Sequence, residues 1–216
     1  MSLQEYITKT EEFVQSLFQD DASGHDWWHI VRVRDMALRL AQAEGADCFI
    51  CQMAALLHDV ADDKLNSSEE VGLKKVDDFL SQLGLPERDR SAILDIIANM
   101  SYRGGQKAQK PLSLEGQCVQ DADRLDALGA IGIARTMAYS GHKGRLIHDP
   151  ALEPRAQMTL AEYRSDGGTA ILHFYEKLLK LKDLMNTDMA KTLAEGRHAF
   201  LETYLEQFYA EWRSER

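Results

Sequence analysis

Proline is scarce in this chain, with four residues in 216. So few backbone breakers, and no long segment alternating apolar with polar residues, argue against a sheet-based fold. The three cysteines are an odd count for this length, which argues against a disulfide framework. Positive charge is also in deficit: 25 Lys and Arg stand against 35 Asp and Glu, giving a net charge of −10 and a pI near 5.2. A broad nucleic-acid surface needs the opposite balance. No stretch approaches the roughly 20 apolar residues of a membrane span, and the opening MSLQEYITKTEEF lacks the basic-then-apolar pattern of a signal peptide. These absences predict a cytoplasmic protein, monomer or homodimer, without nucleic-acid or membrane partners.

What is present is helix-forming: Ala, Leu, Glu, Lys, Gln and Met are abundant. A hydrophobic fraction of 44 % suffices for one sizeable core. The pattern predicts helices over residues 3–18, 27–44 and 47–58. A capping box in NSSEE, with Ser67 facing Glu70, starts another helix that runs to about 83. Pro86 suits the first turn of a helix ending near 100. Further helices are expected over 114–128, 131–139, 168–185 and 187–212, with a long loop around 140–157. The expectation is a single all-α domain over 1–216.

Three short segments carry chemistry. His29 shares a helical face with Val33, Met36, Ala37 and Leu40. A polar ring on that stripe is either a core histidine bonded to a backbone carbonyl or a ligand. In AALLHDVADDK, His58 and Asp59 end an apolar helix, where imidazole also complements the helix dipole. In VQDADRLDALGAIG, Asp123 and Asp126 fall on one face among small residues. Paired carboxylates raise each other's pKa unless a cation or donors are near, and Arg124 offers one blander partner. Two imidazoles with carboxylates form a mixed nitrogen–oxygen set suited to Mn²⁺, Co²⁺, Ni²⁺, Fe²⁺ or Zn²⁺.

The order His29, His58-Asp59, Asp123 resembles the H…HD…D signature of the HD-domain metal-dependent phosphohydrolases. HDWWHIVRV, LLHDVADDK, VQDADRLDALGAIGIAR and ILHFYEKLLKL are similar to segments of a bacterial subgroup typified by YpgQ- and YedJ-like proteins. The likeness runs from about residue 24 to 211, with an HD core over about 24–130 and C-terminal helices over about 168–212. It implies His29, His58, Asp59 and Asp123 as metal ligands and Asp126 as an outer neighbour of the site. His25, four residues before His29, takes a loop or capping role. The cofactor implied is one divalent ion, Mg²⁺ included among the candidates, with a second ion possible. Asp62 is the candidate for orienting or deprotonating water, or for holding that second ion. Lys64 matches residues that steady phosphate charge in HD enzymes. Because alarmone hydrolases share the signature, it implies phosphoester or phosphoanhydride cleavage. Within the subgroup the favoured substrate is a nucleoside triphosphate losing pyrophosphate. A nucleotide phosphomonoesterase or an alarmone-type pyrophosphohydrolase is the alternative, and an HD-like sensing or binding module is the non-enzymatic one.

Other residues offer substrate contacts. His173, Lys177 and Lys180 fall on one face of the expected 168–185 helix and are candidates for gathering phosphates; a solvated face is the blander account. Arg103, beside the glycines of YRGG, is a further substrate-binding candidate, although no P-loop pattern accompanies it. His142, Lys143, Arg145 and His148 lie in the expected loop and form either a lid or a solvated segment. Cys48 and Cys51 have redox-pair spacing but sit among apolar residues, which favours two buried thiols.

Overall fold

The computed structural model describes residues 1–18, 26–62, 66–100, 111–155 and 168–216. Every regular element among them is helical: α1 (Leu3–Phe18), α2 (Trp27–Glu44), α3 (Cys48–Leu57), α4 (Glu69–Gln82), α5 (Glu87–Met100), α6 (Leu114–Asp126), α7 (Gly129–His142), α8 (Ala170–Glu176) and α9 (Asp188–Trp212). The fold is all-α. The chain divides into two compact units, Met1–Asp123 and Arg124–Arg216, with the boundary inside α6. None of the described helices is long and apolar enough to cross a membrane.

The first unit is built around α3. Phe49, Ile50, Cys51, Met53 and all four residues from Ala54 to Leu57 are buried, and α1, α2 and α5 pack against them. Burying each of Leu56 and Leu57 contributes about 1.5–3 kcal/mol. The turn from α2 into α3 needs a left-handed residue, supplied by Gly45 at φ 77°, whose N–H returns to the Ala41 carbonyl. Asp47 then caps α3, accepting from the Phe49 and Ile50 amides at 2.9 and 3.1 Å. Asp47 therefore precedes the helix rather than belonging to it.

Cys51 is engaged with Cys118 rather than bonded to Cys48. It and Cys118 of α6 are both fully buried, whereas Cys48 is half-buried. The hydrogen bond with Cys118, and then burial, push the Cys51 thiol far above its ordinary value. Cys51 Sγ also lies 3.7 Å from the Glu115 carbonyl. The 48–51 spacing thus does not form a redox pair.

Beyond α3 the chain tightens into a 3-10 turn, His58–Ala61, which α4 covers. The approach is backbone on backbone. A Cβ placed on Gly72 would lie 2.5 Å from the Ala61 carbonyl oxygen and 2.7 Å from its Cα. The cap of α4 is Ser68, not Ser67: Ser68 is extended and its hydroxyl accepts from the Val71 amide at 3.3 Å. One step of register removes the reciprocal box with Glu70 and leaves Glu69 and Glu70 in the first turn, where the helix dipole favours them. Pro86 lies just outside α5, its carbonyl accepting from the Asp89 and Arg90 amides.

In the second unit α7 packs against α8 and α9. Helix α7 starts at Gly129 and extends to His142, longer at both ends than the 131–139 expected. The long helix expected over 168–185 does not exist. Helix α8 stops at Glu176, Lys177 breaks it at φ −134° and ψ −61°, and the 3-10 turns Leu178–Lys180 and Lys182–Leu184 follow. Leu178 and Leu181 are both buried at a spacing of three, the period of a 3-10 turn. Packing of that leucine row overrides a sequence of good helix formers.

Gly72→Ala should destabilise the first unit by about 1–3 kcal/mol or more, because backbone must move to admit the methyl group. Gly196→Ala, in the interior of α9 with open space around it, should instead stabilise by about 0.5–1 kcal/mol. Urea denaturation of the two variants checks both signs, and equal effects would contradict the packing at Gly72.

Candidate metal centre

His29 enters the site from the first turn of α2. Asp26 caps that helix, and its carboxylate accepts from the His29 amide itself at 2.8 Å. The cap therefore holds the backbone of His29. Its ring lies on the stripe of Ile30, Val33, Ala37 and Leu40 and is fully buried.

His58 and Asp59 come from the end of α3. The last carbonyls of a helix lack intrahelical partners, and the Ala55 carbonyl takes the ring Nδ1 of His58 at 2.7 Å. A carbonyl only accepts, so Nδ1 carries a proton, and in the neutral ring Nε2 is the nitrogen with the lone pair. That Nε2 is buried and makes no hydrogen bond among the described residues. The Asp59 carboxylate divides itself between the two rings: Oδ2 lies 3.4 Å from His29 Nε2, and Oδ1 lies 3.3 Å from His58 Nε2. The rings meet edge to face at 5.3 Å.

Asp123 arrives on α6 with its side chain 41 % exposed, against 12 % for Asp59. Its Oδ1 lies 3.6 Å from His29 Nε2 and 3.9 Å from His58 Nε2. One ligand atom each from His29, His58 and Asp59 fall within 4.8 Å of one another. Two ligands each 2.0–2.2 Å from a common ion stand about 2.8–3.6 Å apart at right-angle or tetrahedral positions, and about 4.0–4.4 Å apart when opposed. The observed separations lie in that range. A nearly buried carboxylate beside an imidazole lone pair favours a cation between them. The four residues fit a divalent ion.

The remaining candidates divide. Asp62 is half-buried directly after the 3-10 turn, its amide donating to the Asp59 carbonyl at 3.1 Å. His25, Lys64 and Arg103 lie outside the described residues. Asp126 is buried and paired with Arg135 at 3.0 Å, while Arg124 donates to the Leu184 carbonyl. Two features escaped the sequence reading. Gln120, buried on α6, donates to the Met100 carbonyl at 2.7 Å and so ties the end of α5 to the helix that bears Asp123. Asn66, read only as part of a cap, donates from one nitrogen to the Val60 and Asp62 carbonyls, both at 2.8 Å. Neither has a sequence signal, since both bonds are long in sequence or made to backbone.

The second unit holds a cationic group of its own. His173 lies on α8, Lys177 at its break and Lys180 in the following turn, so the three share no continuous helical face. Arg145 joins His173 and Lys177. Burial, and then the charges of Lys177 and Arg145, lower the His173 pKa to about 3. Arg145 also stacks over the Tyr139 ring at 5.4 Å. His142 ends α7, and His148 packs edge-on against Trp212 at 4.8 Å rather than standing in solvent. Arg155 grips the buried Glu176 carboxylate through Nε at 2.7 Å and Nη2 at 2.9 Å, which pins the 143–155 segment to α8.

The HD domain family model matches residues 27–128. YpgQ of Bacillus subtilis (strain 168) is 42 % identical over 196 residues, which is 90 % of this chain and 88 % of that protein. A solved HD-superfamily hydrolase of Bacillus thuringiensis is 53 % identical at a TM-score of 0.78, over 98 % of this chain and 99 % of its own. The crystal structure of Bacillus subtilis YpgQ in complex with ADP superposes at a TM-score of 0.76 with 38 % identity, over 95 % of this chain and 97 % of its own.

The lowered pKa of His173 makes its ring neutral throughout the physiological range. Its folded value lies below the unfolded value near 6.5, so on acidification the unfolded chain takes the proton first. The stability it contributes is complete above about pH 6.5 and is lost as pH falls toward 3. Imidazole NMR should show no His173 titration between pH 5 and 8, and His173→Gln should flatten the acid limb of a stability–pH curve. A His173 signal titrating near 6.5 would contradict the burial.

Proposed function

This chain belongs to the HD domain family, and from that premise we propose that it is a divalent-metal-dependent phosphohydrolase that releases pyrophosphate from nucleoside triphosphates. The observation that carries the reading is the convergence of His29, His58, Asp59 and Asp123, with carboxylate oxygens 3.3–3.9 Å from two imidazole Nε2 atoms. In this reading those four side chains hold the ion. The ADP complex of the YpgQ relative supports a nucleotide as substrate.

The chemistry supplied by a divalent ion there is Lewis-acid polarisation of a phosphoryl oxygen and acidification of water. The protein supplies placement. The Ala55 carbonyl keeps His58 in the Nδ1-protonated tautomer, so that Nε2 stays a donor of electrons. Asp62 accepts a proton from the attacking water. The water oxygen bonds to the α-phosphorus, the bond from that phosphorus to its bridging oxygen breaks, and pyrophosphate departs with that oxygen. Lys64 and Arg103 are assigned to phosphate charge on the resemblance and on residue type. His173 and Lys177 are assigned to phosphate binding, with His173 acting as a neutral hydrogen-bonding group and Lys177 as the cation. The net charge of −10 is no obstacle to an anionic substrate, because an ion and a few local cations set the field where it binds.

His58→Ala and Asp59→Ala should each lose metal binding and hydrolysis while circular dichroism stays helical. Asp123→Asn should weaken metal binding by more than Asp126→Asn, for which an outer position predicts about 10–100-fold. Wild-type turnover in the His58 or Asp59 variant would remove the metal-site reading, and the reverse order of the two aspartates would move the ligand one turn along α6.

Lys177→Ala should raise KM for a nucleoside triphosphate by roughly 10–150-fold, the equivalent of one charge-assisted contact of about 1.5–3 kcal/mol, and change KM for an aryl phosphate little. Products are separated chromatographically with Mn²⁺, Co²⁺, Ni²⁺ and Mg²⁺ in turn. Orthophosphate as sole primary product would establish the phosphomonoesterase reading instead.

A further inference from the structure

The 3-10 turn that carries His58 and Asp59 has little of its own to hold it. A four-residue turn makes few internal hydrogen bonds, of poorer geometry than those of an α-helix. One closes it, from the Asp62 amide to the Asp59 carbonyl at 3.1 Å. On one side α4 presses Gly72 backbone against Ala61. That contact resists inward movement.

Asn66 meets the turn at its exit. Its Nδ2 lies 2.8 Å from the Val60 carbonyl oxygen and 2.8 Å from that of Asp62. An amide nitrogen has two hydrogens, so each carbonyl receives one, and the carboxamide is saturated as a donor. The two carbonyls belong to the residue directly after Asp59 and to Asp62 itself. One side chain thus spans the peptide planes between which the turn ends.

We propose that Asn66 is a positioning residue for the metal centre: its double hydrogen bond locks the exit of the His58–Ala61 turn and thereby fixes the Asp59 carboxylate between the two imidazoles. The proposal rests on the metal-site reading above. Asp59 must keep Oδ1 near His58 and Oδ2 near His29 at 3.3 and 3.4 Å together. A small rotation of its backbone breaks one of those approaches. Asn66 touches neither the ion site nor substrate in this account, and acts only through the turn.

The test is Mn²⁺ affinity, by isothermal titration, of the full-length wild type, Asn66→Asp, Asn66→Ser and Asn66→Ala, with the melting temperature of each metal-free protein measured alongside. Asn66→Asp is the decisive variant because it keeps the shape, removes both donors and adds negative charge. By electrostatics alone it should bind a cation more tightly. The tether predicts the opposite: about 10–100-fold weaker Mn²⁺ binding for Asn66→Asp and Asn66→Ala. Asn66→Ser, which retains one hydroxyl donor, should fall between these and the wild type. A purely structural role would lower the melting temperature of the metal-free proteins and leave Mn²⁺ affinity where it was, and that result overturns the proposal. Unchanged or tighter binding by Asn66→Asp overturns it as well. Failure of the wild type itself to bind Mn²⁺, Co²⁺ or Ni²⁺ would instead bring down the metal-site reading and the Asn66 proposal with it.

Discussion

The site depends on one hydrogen bond, from His58 Nδ1 to the Ala55 carbonyl. Without it the imidazole could present either nitrogen, in either protonation state, to the carboxylates around it. With it Nδ1 is committed as the donor, and Nε2 stands buried 3.3 Å from one carboxylate oxygen and 3.9 Å from another. The bond costs the fold nothing, because a carbonyl in the last turn of α3 has no helical partner to lose. Structural need and chemical need fall on the same atom. The apolar shell of α3 then keeps solvent from competing for it, as Ala54, Leu56 and Leu57 are all fully buried.

The residues of the candidate site are held by devices of this local kind. Asp26 caps the His29 amide, Gln120 ties α6 to the end of α5, and Gly72 lets α4 lie against the turn. The side chains are short and their helices are rigidly packed, which is how a site keeps geometry within a few tenths of an ångström. The second unit follows a different economy. Its polar residues are spent on fastening one irregular segment, with Arg155 on Glu176 and the Leu146 and Ile147 carbonyls receiving the Ala170 and Ile171 amides.

Legibility in the sequence followed the range of the determining interactions. Helices α1 and α2 read to the residue, because a period near 3.6 and flanking turn residues define both ends locally. The cap of α4 was misplaced by one position, since adjacent serines offer the same oxygen and only backbone conformation distinguishes them. The end of α8 was hidden altogether. Leucines at 178 and 181 suit an α-helical stripe as well as a 3-10 row, and both are buried in the latter. His29, His58, Asp59 and Asp123 were legible as a set through their ordered motifs. Periodicity alone left His29 open between a core histidine and a ligand, and did not separate Asp123 from Asp126. That distinction is tertiary: one carboxylate approaches two imidazoles, and the other takes Arg135.

The thiols have a use that their chemistry does not advertise. Cys51 and Cys118 sit fully buried on α3 and α6, and Cys48 sits half-buried one turn before Cys51. A thiol reagent can modify the buried two only when those helices part. Their labelling rate is therefore a clock for the opening of the scaffold that bears His58, Asp59 and Asp123, with Cys48 as the fast internal standard. Slowing of that clock on adding a divalent ion would measure, in seconds rather than in turnover, how far the ion clamps the two helices together.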